Sequence, residues 1–377
     1  MTQAPVCDLV LLSWNHLEET KPCLDSLFRH TDVSCRLFIV DNGSEPDVRE
    51  FLKTVRPQGQ ILEVTLLQNE ANEGFPKGMN RGLRASTAPF ACILNNDLVF
   101  APQWLSRMLE VAKVHPEIGV LNPGSSTFGE HPPRGMSLDD YAVTIGPKRG
   151  LYTEVGMCIG FCMIITRELI TRIGCLSEEV ERIFFEDEDY CMRAQHAGFR
   201  CAVVASSYVL HHEHRTVKKM GERERIFQRN QRWCQARWGK WLRIASPRWQ
   251  PMEPGSEELH AWLAQRIEWA RRRTHVYVYG SWPADCTAEQ LFRSVGLVPH
   301  ADVILMRMPA AITALAATGL MLARRKKRFD AIVAPDAAWA WLMRRLRWAH
   351  GAQVVSDHDT EALGRVWHTR PPLPSLS

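Results

Sequence analysis

The chain reads as an α/β protein, with a large domain built on a mostly parallel sheet followed by a smaller domain of alternating strands and helices. Three observations predict this. Apolar runs at residues 8–13 and 36–40 flank a helical pattern at 18–29, which makes a βαβ unit and therefore parallel neighbours. Three prolines fall together within residues 245–255, and beyond them strand and helix patterns alternate again. The chain has 377 residues, 45% of them hydrophobic and 23% charged, which is enough to bury more than one core. The division expected is a first domain at 1–245, a linker with a helix at 246–273 and a small α/β domain at 274–377.

Further along the first domain, residues 61–67 read as a third strand, 79–85 as a helix, and 90–94 as a fourth strand delivering Asn95-Asn96-Asp97 at its end. Residues 104–114 are helical, and His115-Pro116 stops them. Residues 123–150, rich in Gly, Pro and Ser without a period, are expected to form a mobile loop over a site. Strands follow at 160–166 and 201–210, then a long helix at 223–242. In that helix, Trp233, Trp238 and Trp241 alternate with Arg229, Arg232 and Arg237; packing against the core is preferred to a membrane-surface face. The second domain offers strands at 275–279, 303–306, 331–334 and 353–355 and helices at 288–295, 310–323 and 337–349. Residues 370–377 read as a loose tail.

The net charge of +4 gives no argument for nucleic acid. The eleven cysteines lack a CxxC, and no basic leader precedes residues 6–14, so reduced thiols in a cytoplasmic protein are expected. The longest apolar stretch, 308–323, is short for a membrane span and runs into Arg324-Arg325-Lys326-Lys327-Arg328. A buried helix with a solvated basic end fits it, and peripheral contact with anionic lipid at the inner face of the membrane stays open.

Chemistry concentrates in Phe185-Glu186-Asp187-Glu188-Asp189 and, downstream, His211-His212-Glu213-His214. Four consecutive acids repel one another if buried and ionised, so they face a cation, a basic partner or water. Asp97, at a strand end where α/β proteins place ligands, adds a third carboxylate-bearing element. His212 and His214 lie on the strand face opposite His211, so the three are not expected to share one ion.

The ordered motifs Ser13-Trp14-Asn15, Val40-Asp41-Asn42-Gly43-Ser44, Asn72-Glu73-Gly74-Phe75, Gly78-Met79-Asn80-Arg81-Gly82, Asn95-Asn96-Asp97, Phe184 to Arg193, Ala197-Gly198-Phe199 and Val209-Leu210-His211 together resemble glycosyltransferase family 2. Its members are inverting enzymes of GT-A type, and the resemblance covers roughly residues 7–242. It implies a nucleotide-sugar-binding domain that moves a sugar from a nucleoside diphosphate to a hydroxyl acceptor, in cell-surface polysaccharide or glycoconjugate synthesis. The acceptor class spans saccharides, lipid-linked saccharides and other hydroxyl compounds. Asp41 corresponds to the acid that reads base or ribose, and Ser13, Asn15 and Asn42 can hydrogen-bond a nucleotide in the same crevice; a plain turn is the alternative for Asp41-Asn42-Gly43-Ser44. Lys77 and Asn80 lie in the Gly-rich helix start that suits sugar or phosphates. Asn95-Asn96-Asp97 stands at the family's Asp-any-Asp motif, whose preceding acid holds the ribose and whose last acid holds the metal, so Asn95 and Asn96 are placed at the nucleotide sugar and Asp97 is the oxygen ligand for Mn²⁺ or Mg²⁺ with His211 beside it. Asp187 matches the general base, Glu186 and Glu188 are placed to hold acceptor hydroxyls, and Gly160-Phe161 floors the acceptor site. A metallohydrolase using the histidines and a nucleotide-sugar-binding protein without catalysis are the competing readings. The last hundred residues, through Arg328 to Asp336 and Val354 to Asp359, resemble the N-terminal half of GT-B-type glycosyltransferases, a Rossmann-like arrangement.

Overall fold

A computed structural model of the chain describes residues 4–212, 222–323 and 326–357, with residues 364 and 367. The chain divides into two compact units, the first mainly Met1–Thr153 with Met157–Gln235, the second mainly Ala236–Ser375.

In the first unit the elements run β1 (Cys7–Ser13), α1 (Leu17–His30), β2 (Cys35–Asp41), α2 (Pro46–Thr54), β3 (Ile61–Gln68), α3 (Phe75–Ala85), β4 (Phe90–Asn95), β5 (Leu98–Phe100) and α4 (Trp104–Val114). They continue with β6 (Ile118–Ser125), α5 (Leu138–Ile145), β7 (Tyr152–Val155), β8 (Cys162–Thr166), α6 (Arg167–Ile173), α7 (Glu186–His196), β9 (Arg200–His211) and α8 (Arg223–Trp238). Among the described residues the sheet has nine strands, in the order β3-β2-β1-β4-β8-β6-β9-β5 with β7 beside β9. Its left half is parallel, while β8 runs antiparallel to both β4 and β6.

β1 is buried along its whole length, as expected for a strand covered on both faces and paired with β2 and β4. Its one charged residue, Asp8, is fully buried and compensated: Arg36 on β2 donates two bonds of 2.8 Å, and the backbone N–H groups of Thr87 and Ala88 donate at 2.6 and 2.7 Å. Helix α3 lies close on this strand because Gly78 and Gly82 face it. A Cβ on Gly78 would meet Leu12 Cδ1 at 2.5 Å, and one on Gly82 would meet Val10 Cγ1 at 2.3 Å.

One expectation needs correction here. Residues 123–150 do not form one loop, since they begin inside β6 and contain α5, whose first turn is capped by Ser137 accepting from the Asp140 N–H at 3.1 Å. β6 escapes a sequence reading because Asn122-Pro123-Gly124-Ser125 is written in turn residues. The register shift between Pro123 and Gly124 absorbs them, and the Asn122 amide donates to the Ile159 and Cys162 carbonyls, at 2.9 and 2.6 Å.

The second unit contains β10 (Leu242–Pro247), α9 (Glu257–Ala270), β11 (Thr274–Gly280), α10 (Ala288–Ser294), β12 (Val303–Arg307), α11 (Thr313–Ala323), β13 (Ala331–Ala334), α12 (Ala337–Arg345), α13 (Arg347–His350) and β14 (Gln353–Ser356). All its strand pairs are parallel, in the order β12-β11-β10-β13-β14, with helices on both faces, a doubly wound arrangement. Leu259, Leu263 and Ile267 of α9 pack with Leu291 and Phe292 of α10 on one face; Ala317, Met321, Ala340 and Met343 cover the other. The expected boundary at residue 245 falls inside β10, the central strand of this sheet, and α9 belongs to its core. The division therefore lies at Gln235/Ala236, ten residues earlier.

All eleven cysteines are free, nine of them buried. Among the described residues no helix is long and apolar enough to cross a membrane. His214 and the tail at 370–377 lie outside the described residues.

Candidate active site

The ends of β1, β2 and β4, the residues just before β8, the end of β9 and the start of α7 surround a cleft of about 450 Å³ in the first unit. This is the carboxyl edge of the parallel strands, where the topology leaves room for a ligand.

At one side of the cleft His211 Nε2 lies 3.2 Å from Asp97 Oδ1 and 3.4 Å from Asn95 Nδ2. The imidazole is held from several directions. Thr127 Oγ1 is 2.9 Å from Nδ1, the Ser126 hydroxyl bonds both the N–H and the carbonyl of His211, and Phe161 stacks on the ring at 5.1 Å and 14°. With Thr127 Oγ1 at Nδ1, the ring is oriented so that Nε2 faces Asp97 and Asn95. Adjacent ligands of an octahedral ion with bonds of about 2.1 Å stand about 3 Å apart. The Asp97–His211 spacing therefore fits one divalent cation. Asn96, the next residue, donates to Thr20 Oγ1 at 2.9 Å and so ties this corner to α1.

Beyond Phe161, the Gly160 N–H donates to Asp187 Oδ2 at 3.1 Å, and the Glu188 N–H donates to Oδ1 at 2.8 Å. Asp187 thus sits in the first turn of α7 with both oxygens fixed. Burial raises its pKa above the usual aspartate range, against the lowering by those two N–H groups. Glu186 beside it is buried. Burial first, and the neighbouring Asp187 charge second, push its pKa well above the ordinary 4.5, and its Oε2 has no partner among the described residues. Of the remaining acids, Asp189 turns away from this group to pair with Arg193 at 2.9 Å.

The backbone that delivers these carboxylates is strained. Arg182, Phe184 and Phe185 all have positive φ, at 59°, 79° and 72°. Asn230 of α8, buried to 2% exposure, holds the segment by donating to the Glu181 and Ile183 carbonyls at 2.9 and 2.8 Å and accepting from the Glu181 N–H at 3.2 Å. Arg225 and Arg229 pair with the Glu181 carboxylate, and the Phe227 ring packs against Phe184 and Phe185 at 5.5 and 5.1 Å.

Most of the expected site residues meet here: Asn42, Asn95, Asn96 and Asp97, Gly160 and Phe161, Glu186, Asp187 and Glu188, and His211 all line the cleft. Others do not. Ser13 is fully buried while Leu12 and Trp14 line the cleft, because alternate residues of an extended chain point to opposite sides. Asp41 is fully buried, accepting from the Ser44 N–H at 2.9 Å and Gln68 Nε2 at 3.3 Å, with Arg49 at 3.5 Å; it shapes the turn. Asn15, at φ 56°, accepts from the Glu45 N–H at 2.8 Å and joins two loops. The Asn80 amide is consumed by Leu176, donating to its carbonyl and accepting from its N–H at 2.8 and 2.9 Å, and by Glu178. Lys77 is exposed and outside the cleft. His212 is exposed, as expected for the opposite strand face. The aromatic wall of Phe184, Phe185 and Phe227, Arg182 and the Thr127 partner of His211 were not assigned roles from sequence. Phe184 and Phe185 adjoin the acid run, but nothing in the pattern around Arg182 or Thr127 marks either one.

The chain is 26% identical over 195 residues to an uncharacterized glycosyltransferase of Haemophilus influenzae, covering 49% of this chain and 60% of that protein. It is 28% identical over 129 residues to the succinoglycan biosynthesis protein ExoM of Rhizobium meliloti, covering 34% and 41%. The matched segments span 29% to 60% of the curated relatives' lengths. A solved structure, the mannosyltransferase PcManGT of Pyrobaculum calidifontis in complex with GDP-Man and Mn²⁺, is 18% identical with a TM-score of 0.42, covering 57% of this chain and 59% of that one. Residues 8–174 match the family model of glycosyl transferase family 2, a span that ends before Asp187 and His211.

Proposed function

We propose that the first unit is an inverting glycosyltransferase that moves a sugar from a nucleoside-diphosphate donor to a hydroxyl acceptor, in the building of a polysaccharide or glycoconjugate. The observation that carries this reading is Asp187, a half-buried carboxylate fixed by the Gly160 and Glu188 N–H groups in the same cleft as the Asp97–His211 pair. An acceptor hydroxyl hydrogen-bonded to Asp187 gives up its proton to the carboxylate as its oxygen forms the bond to the anomeric carbon. On the opposite face the bond from that carbon to the diphosphate breaks, and its electron pair leaves with the phosphate, so the anomeric configuration inverts. The raised pKa of Asp187 makes it a stronger base than an exposed aspartate while leaving it ionised at higher pH.

Asp97 and His211 would hold a divalent cation, Mn²⁺ or Mg²⁺, whose chemistry when bound is to neutralise charge on the departing diphosphate. Asn95 and Asn96 keep this corner less negative than two further acids would. Similarity to ExoM, named for succinoglycan biosynthesis, supports polysaccharide synthesis as the setting.

The test is a thermal-shift screen of UDP-, dTDP- and GDP-sugars with and without Mn²⁺, followed by NMR of the product's anomeric configuration. A native-state ligand raises the apparent stability in proportion to its occupancy. Stabilisation by one donor class, strengthened by metal, with an inverted product, is expected. A retained configuration, or no donor that stabilises the chain, sinks the proposal.

A further inference from the structure

The cleft is lined by four acidic residues, Asp97, Glu186, Asp187 and Glu188, and also by Arg182, whose guanidinium has no ion pair with any of them. Arg182 lines the cleft with its side chain exposed, and among the described residues it has no ion-pair partner. Its place is fixed by the backbone. The Arg182 carbonyl accepts from the Phe75 N–H at 2.5 Å, and its Cα packs so closely on Gly74 that a Cβ there would stand 2.7 Å away. Arg182, a non-glycine residue at φ 59°, thus has its backbone fixed between the Asn230 clamp on one flank and the start of α3 on the other.

Its position in the cleft follows from contacts. Phe75, bonded to Arg182 through its N–H, has its ring 3.4 Å from where a Gly160 Cβ would be, and the Gly160 N–H binds Asp187. The Asp97–His211 pair lies on the other side of Phe161, which stacks on the imidazole. Arg182 is thus on the side of Asp187, and beside it stands the apolar wall of Phe184, Phe185 and Phe227.

We propose that Arg182 is a specificity residue for an oxyanion carried by the acceptor, a phosphate or a carboxylate, with the neighbouring phenyl rings taking an apolar part of the same molecule. A guanidinium suits either anion because its fork of donors matches two oxygens at once. This inference rests on the transferase reading of the same cleft.

The experiment measures binding to the full chain by ligand-observed NMR, with Mg²⁺ and the nucleotide that stabilises the protein. The probes are methyl glucoside, its 6-phosphate and methyl glucuronide. One charged probe is expected to bind about tenfold tighter than methyl glucoside, the order of one charge-assisted hydrogen-bond pair, and which of the two does so identifies the anion. Arg182→Asn removes the charge with a residue that tolerates positive φ, and should abolish that gap while leaving methyl glucoside and nucleotide affinities unchanged. Arg182→Lys, which keeps the charge without the fork, should retain part of it. Equal binding of all three probes overturns the inference, as does an unchanged gap in Arg182→Asn. Loss of nucleotide affinity in that variant also overturns it, by assigning Arg182 to the donor's diphosphate. Failure of donor turnover in the wild-type chain would instead strike the transferase reading, and the binding comparison remains readable without it.

Discussion

His211 Nε2, at the end of β9, and Asp97 Oδ1, in the turn between β4 and β5, stand 3.2 Å apart. If this pair holds one cation, Asp97→Ala should abolish the Mn²⁺-dependent part of nucleotide binding and His211→Ala should weaken it strongly. His212→Ala should leave it unchanged. Thr127→Val, which removes the partner of Nδ1, should cost about tenfold to a hundredfold in metal affinity. Calorimetric titration of nucleotide at several Mn²⁺ concentrations reads all four; equal losses from His211 and His212 would refute the assignment.

Asp187→Asn preserves shape but cannot take a proton. Sugar transfer should fall by about a hundredfold or more, with donor affinity nearly constant, because the lost interaction belongs to the transition state. Glu188→Gln should be milder. Near-normal turnover in Asp187→Asn would move the base elsewhere.

Glu186 offers a test through pH. Its folded-state pKa is raised above 4.5, so the folded chain holds this proton more tightly than the unfolded chain does. The stability it contributes is complete below the unfolded value and is lost as pH rises through the folded one. Glu186→Gln removes that loss, so the Tm of the variant relative to wild type should climb with pH above about 4.5 and then level off. A Tm difference independent of pH would show that Glu186 is ionised in the folded protein.

Gly74 and Gly78 separate backbone crowding from side-chain crowding. At Gly74 (φ 88°) a Cβ meets Arg182 Cα at 2.7 Å, whereas at Gly78 it meets the far end of Leu12. Gly74→Ala should cost about 1–3 kcal/mol or more, and Gly78→Ala less, because a leucine methyl can move. Urea unfolding of the two variants compares them, and the reverse order would mean that the loop at Arg182 yields easily.

Where an apolar run or a helical period was complete, the sequence was readable: β1, β2, β4, α1 and α4 all lie where their patterns put them. β6 was hidden because a buried strand was written in Asn, Pro and Gly, and only its neighbours β8 and β9 make it one. Asp97, Asp187 and His211 drew notice in the sequence because each stands at or near an element's end, and the structure brings all three to one cleft. Asn80 and Asp41 lie outside that cleft, since a polar side chain in a motif can be engaged by nearby backbone, as their bonds to Leu176 and Ser44 show. Arg182 was illegible because its placement depends on a left-handed backbone and on a helix nearly fifty residues later in the chain.

That dependence on Asn230 has a consequence for biosynthesis. As the chain leaves the ribosome, β1 to β9 can assemble while the segment before Glu186 still lacks the amide that bonds its carbonyls and the two arginines that pair with Glu181. Three residues with positive φ will not hold that conformation unaided. A nascent chain therefore acquires its finished cleft late, when α8 emerges and docks, so that a product of translation cut short before Asn230 lacks the clamp on its cleft.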